Sequence, residues 1–166
     1  MTITQGGISA VDARLEVSAN GSTWIDISGS ANAVDPGSAK RKVGTANVFD
    51  GDLPVVTTGK RDPHEVKVSA LYTEESGETF ETIRPMFEAH SRVYFRYSPK
   101  GHGATGHAVY TASNDAATPG ACIISELNWP KVEADSADPI ALEFTLFVPA
   151  FIRTVTGNST GLGSGA

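Results

Sequence analysis

The chain has 166 residues, 40% of them hydrophobic and 19% charged, with a formal charge of −6. That length supports one domain with its own core, and the excess of carboxylates argues against tight wrapping of nucleic acid, whose phosphates need a cationic surface. A single cysteine, Cys122, permits no intrachain disulfide. No apolar run approaches the roughly 20 residues of a membrane-spanning helix. The start, Met1 to Gly7, lacks the basic and apolar regions of a secretory signal, so cytoplasmic folding without membrane insertion is expected.

Residues 1–10 show no periodicity and read as an N-terminal arm. Leu15 and Val17 then alternate with polar residues, Asn20-Gly21 supplies turn chemistry, and Trp24, Ile25 and Ile27 rebuild a strand, which predicts a hairpin. Residues 28–59 form an extended, weakly apolar segment with turn markers at Asp35-Pro36-Gly37 and Asp50-Gly51-Asp52, holding two short strands near Val43–Phe49 and Val55–Thr58. So long a stretch with so little to bury suggests a mobile loop or burial against another chain. Lys40-Arg41-Lys42 within it is too short for a nucleic-acid patch and reads as solvated, or as a contact to an acidic neighbour.

The following stretch carries the clearest periodicity. Val66, Val68, Ala70 and Tyr72 alternate with Glu65, Lys67 and Ser69; Phe80, Ile83 and Phe87 then follow at helical spacing; Val93, Phe95 and Tyr97 finally alternate with Arg92, Tyr94 and Arg96. Strand, helix at about residues 78–90, and strand are predicted. Ser76 or Thr79 is suited to cap the helix. Pro85 inside it removes a donor and predicts a kink or two short turns. Further strands are expected at Ala108–Ala112, Cys122–Trp129 and Ile140–Val148, the last with Leu142, Phe144, Leu146 and Val148 on one face. The 156–166 tail is flexible by composition. The predicted whole is mainly β: one domain over residues 11–155, with one short helix.

Reaction chemistry is hard to find. Gly101-His102-Gly103-Ala104-Thr105-Gly106 matches a dinucleotide fingerprint, but a strand-like run follows where a helix N-terminus is needed. His102 and His107 lack nearby ligands to complete a metal set, and His64 and His90 are distant in sequence. Glu74-Glu75 and the Asp50/Asp52 pair read as solvated surface. Cys122 beside Ile123 and Ile124 reads as a small buried hydrophobe. Trp24, Trp129, Tyr72, Tyr94, Tyr97 and Tyr110 suit a sugar-binding face, although strand aromatics more often belong to cores or interfaces. No enzyme activity, cofactor or metal is expected.

The ordered series Gly21-Ser22-Thr23-Trp24-Ile25-Asp26, Phe49-Asp50-Gly51-Asp52-Leu53-Pro54, Gly59-Lys60-Arg61-Asp62-Pro63, Leu71-Tyr72-Thr73-Glu74 and Val93-Tyr94-Phe95-Arg96-Tyr97-Ser98-Pro99-Lys100-Gly101 resembles major tail tube proteins of long, flexible-tailed bacteriophages. The resemblance covers about residues 15–150. It implies a β-sandwich or partly open barrel with a flanking helix, six copies per ring, and rings stacked into a hollow virion tail tube that conducts viral DNA without binding it specifically. Tape-measure, terminator and baseplate proteins are the implied partners. On that footing Lys40, Arg41, Lys42, Asp50 and Asp52 are candidates for an inter-subunit loop. Glu65, Glu126, Glu133 and Glu143 are candidates for an acidic bore, which would repel phosphates. Two other readings stand beside it: a β-sandwich module binding carbohydrate or protein, and another tail ring component such as a terminator or baseplate protein.

Overall fold

A computed structural model describes residues 9–101, 106–114 and 118–155. Residues 1–8 of the expected arm and the 156–166 tail lie outside the described residues, as does most of the glycine-rich motif after Gly101. The elements are β1 (Arg14–Ser18), β2 (Ile25–Asp26), β3 (Ala31–Asp35), β4 (Lys40–Ala46), β5 (Val55–Asp62), β6 (His64–Leu71), α1 (Thr79–Glu88), β7 (Arg92–Ser98), β8 (Ala108–Ser113), β9 (Cys122–Leu127), β10 (Ala141–Val148) and β11 (Ala150–Val155). Nine strands form one sheet in the order β11-β8-β7-β9-β10-β6-β3, with β1 and β2 branching from β7; it does not close into a barrel. Among the described residues β4 and β5 pair only with each other.

The alternating strands bury the faces their patterns predict. β6 and β10 run antiparallel in register from Ala141↔Leu71 to Val148↔His64. Val66, Val68 and Ala70 on one strand, and Leu142, Phe144, Leu146 and Val148 on the other, are removed from water. Each such side chain contributes about 1.5–3 kcal/mol on burial. β7 joins the two halves of the sheet: Arg92 and Val93 pair with β9, while Arg14–Ser18 of β1 pairs along Ser98 back to Tyr94. Val93 and Phe95 thereby face the same core as Leu15, Val17 and Ile27.

The Asn20-Gly21 turn is present. Asn20 Oδ1 accepts from the Ser22 and Thr23 N–H groups at 2.9 Å each, and Gly21 takes φ +76 with the Tyr94 ring 3.0 Å from any added Cβ. The segment expected as a weakly structured loop is instead laddered. β3 joins the main sheet, the first of the two short strands shifts by three residues to Lys40–Ala46, and the second keeps its start and lengthens to Val55–Asp62. Periodic burial could not reveal them, because a ladder closed by backbone hydrogen bonds needs no apolar face.

The helix runs unbroken through Pro85. Its start is held from outside rather than by Ser76 or Thr79: the Thr79 N–H donates to Ser30 Oγ at 3.2 Å, and the two hydroxyls lie 2.6 Å apart. Phe80 and Ile83 are buried against the sheet, an apolar gain that offsets the donor lost at Pro85. At the other end Ser91 N–H donates to Met86 O and His90 N–H to Phe87 O, each at 3.0 Å. This is a Schellman motif with His90 at φ +51 where glycine is usual.

Two stability outcomes are expected. Phe144→Ala should cost about 3–5 kcal/mol in urea unfolding, from lost transfer energy and the cavity left behind. His90→Gly should instead stabilise the fold by about 1 kcal/mol, because the left-handed cap strains a side chain bearing Cβ.

Candidate assembly surface

Every residue of β4 is exposed, and every residue of β5 except Asp62. At about 3.3 Å per residue, β5 alone spans roughly 26 Å. Val43, Val48, Val55 and Val56 are displayed to solvent, Leu53 is 83% exposed, and Phe49 is wholly exposed at the tip. Of the predicted inter-subunit residues, Lys40, Arg41 and Lys42 stand on strand β4, while Asp50 and Asp52 sit in the turn between the strands. A lone two-stranded hairpin is marginal in water, and this one carries a row of apolar groups with nothing among the described residues to cover them.

Its root is built firmly. The Gly37 N–H donates to Asp35 Oδ1 at 2.9 Å, and His64 Nδ1 lies 3.3 Å from Pro36 O. Gly37 has φ +66, and a Cβ there would meet Glu65 O at 2.6 Å. Only glycine satisfies both demands.

Beside this root lies a basic recess of about 420 Å³, lined by Lys40, Arg41, Arg61 and Arg153. Phe151 and Tyr110 form its apolar wall. Phe151 packs edge-on to His64 at 5.2 Å and to Tyr97 at 5.7 Å, and Tyr97 stacks on Tyr110 at 5.1 Å. Burial, followed by the neighbouring Tyr110, pushes the Tyr97 phenol up to about 12. The aromatics expected for a sugar face are largely spent on one another: Trp24 lies under the Arg96 guanidinium at 4.1 Å. Trp129 keeps 61% exposure while touching Phe80 edge-on.

The acidic candidates divide. Glu65, Glu126 and Glu143 share the outward face of β6, β9 and β10, as the registers Phe147↔Glu65, Thr145↔Glu126 and Glu143↔Ser69 require. Glu133 does not join them; it sits in the exposed loop between β9 and β10, ion-paired with Lys131. Sequence reasoning overlooked Asp35, which lies opposite Lys67 on the same outward face, because β3 has no clean alternation. Ile123 and Phe147, 53% and 40% exposed, add apolar surface to this face.

One rim of the block β9-β10-β6-β3 is open and the other partly so. Among the described residues nothing pairs with the outer rim of β3, and β7 takes only Cys122 and Ile123 of β9. Open strand rims are templates for pairing with another chain.

For reaction chemistry the described residues provide no group of three or more His, Cys, Asp or Glu that could hold a metal ion. His107 Nδ1 lies 2.9 Å from Gly101 O, and His102 falls outside the described residues. The element after the glycine-rich motif is strand β8, not a helix. Cys122 donates its thiol to Val93 O at 3.1 Å, and burial pushes that thiol up to about 12. A thiol held protonated is no nucleophile. At pH 8 in native protein, Cys122 should therefore resist a thiol reagent for as long as the fold persists. Its labelling rate in urea should track unfolding, and fast labelling of native protein would contradict the burial.

No protein-family model matches the sequence, and no curated protein matches it either. Solved structures match its fold. A chain of the sheath–tube complex of the PVC extracellular contractile injection system in its extended state superposes with TM-score 0.67 at 15% identity, covering 93% of this chain and 99% of that one. A chain of the native gene transfer agent virion gives 0.60 at 11% identity, over 92% and 100%. The SPP1 tail tube gives 0.54 at 12% identity, over 90% and 80%. The chain thus has the fold of the SPP1 tail tube protein and of chains in a gene transfer agent virion and a contractile injection sheath–tube complex.

Proposed function

We propose that this chain is the structural subunit of a bacteriophage-type tail tube. Copies join through their open β-rims into rings of six, and the rings stack into a hollow virion tail that conducts DNA. The observation that carries this reading is the laddered but fully exposed β4–β5 hairpin, set on a body with the fold of tube subunits. Its apolar groups call for a surface that the described residues do not supply, and an identical copy supplies it in a polymer.

In this reading the outward face of β3, β6, β10 and β9 lines the bore. Glu65, Glu126, Glu143 and Asp35 outnumber Lys67 and Arg92 there, so the wall repels phosphates and lets DNA slide. Glu133 belongs to the end of the subunit rather than to this wall. Terminator, baseplate and tape-measure proteins are the partners such a tube would meet at its ends and in its lumen.

Purified protein should form rings or tubes in negative-stain electron microscopy at high concentration. Phe49→Asp combined with Leu53→Asp should raise the critical concentration for assembly at least about tenfold, since each buried side chain is worth roughly 1.5–3 kcal/mol. Circular dichroism and the unfolding midpoint should stay unchanged. Wild-type protein that remains a monomer at every concentration would refute the reading.

A further inference from the structure

The basic recess at the hairpin root carries an electrostatic imbalance. Arg41 lies directly across the ladder from Arg61, where like charges destabilise a strand pair. Asp62 stands opposite Lys40 and also lines the recess, one carboxylate against the four cations Lys40, Arg41, Arg61 and Arg153. Arg41, Arg61 and Arg153 form no ion pair with any described residue.

The other end of the molecule is charged the opposite way. In the exposed loop between β9 and β10, Glu133 is ion-paired with Lys131, while Asp135 and Asp138 have no cationic partner among the described residues. This loop lies beside Ala141 at the start of β10, which pairs with Leu71. The recess lies beside His64, which pairs with Val148 at the end of β10. The ladder between them is about 24 Å long. Complementary patches at opposite ends of one rigid ladder cannot neutralise each other within a protomer. Between successive copies set head to tail they can, and such a contact propagates a filament.

We propose that the Arg41–Arg61–Arg153 recess of one copy receives the Asp135–Asp138 loop of the next copy along the strand direction, forming a salt-sensitive axial contact between rings. The inference rests on the tube reading above and supplies its axial partner from this chain's own residues.

Charge reversal tests it. Arg41→Glu with Arg61→Glu, and separately Asp135→Lys with Asp138→Lys, should each raise the critical concentration for tubes at least about tenfold. Rings should remain in both variants. The protein carrying all four changes should recover tubes, because complementarity is restored with its sign exchanged. A second readout needs no variant: carbodiimide treatment of wild-type tubes should yield an intermolecular amide between Lys40 Nζ and Asp135 or Asp138, absent from dispersed rings. Reversal variants that grow normal tubes, without that cross-link, would overturn the inference and leave the tube reading standing. Retention of wild-type protein on a double-stranded DNA oligonucleotide, abolished by the arginine reversals while tubes persist, would also overturn it. Failure of wild-type protein to form rings or tubes would count against the tube reading instead.

Discussion

The in-register ladder between β6 and β10 is the constraint on which the rest of the molecule depends. Its eight pairs drive one row of apolar side chains inward and one row of polar side chains outward. A slip of a single residue would exchange the two rows, placing Glu65, Lys67 and Glu143 in the core. Such a slip is forbidden by the cost of burying unpaired charge. The same ladder sets which end of the protomer carries the hairpin root and which carries the acidic loop. Core packing therefore determines which end of the ladder carries the basic groups and which the acidic ones.

Legibility in the sequence follows burial. β6, β7 and β10 each have one dry face, and their period of two is written in Val66 to Ala70, Val93 to Tyr97 and Leu142 to Val148. The helix was legible from Phe80, Ile83 and Phe87, although not the manner of its support. Ser30 comes from a distant turn to hold Thr79, a contact no local pattern encodes. Pro85 misled for the same reason, since tertiary packing outweighed a local penalty. The sequence pattern misplaces β4 by three residues and stops β5 four residues short, because their pairing is backbone-driven and every side chain but one is exposed. β3 and β11 were missed altogether; short strands with mixed burial leave no periodic trace.

The charged residues show a similar division. Glu65, Glu126 and Glu143 converge because strand alternation places them on one face, whereas Glu133, beside a strand rather than on it, falls elsewhere. Inside the molecule, Glu16 is 4% exposed yet ion-paired with Arg96, whose guanidinium also covers Trp24. That interior charge is fully engaged. The arginines at the hairpin root have no ion-pair partner among the described residues, and an unbalanced group on a rigid support is the kind of feature that acquires a counterpart from a second molecule.

The four strands β9, β10, β6 and β3 alternate in direction along the block. Because four is even, the rim strands β9 and β3 point opposite ways. Identical blocks arranged by rotation about an axis along the strands therefore meet antiparallel at every seam, the more stable of the two pairings. No copy has to be inverted to achieve this, so every member of a closed circle keeps the same up and down. Three strands or five would have forced parallel seams. Rotation without inversion thus gives such a circle two unlike ends, and with them a direction, while parity decides that its seams are antiparallel.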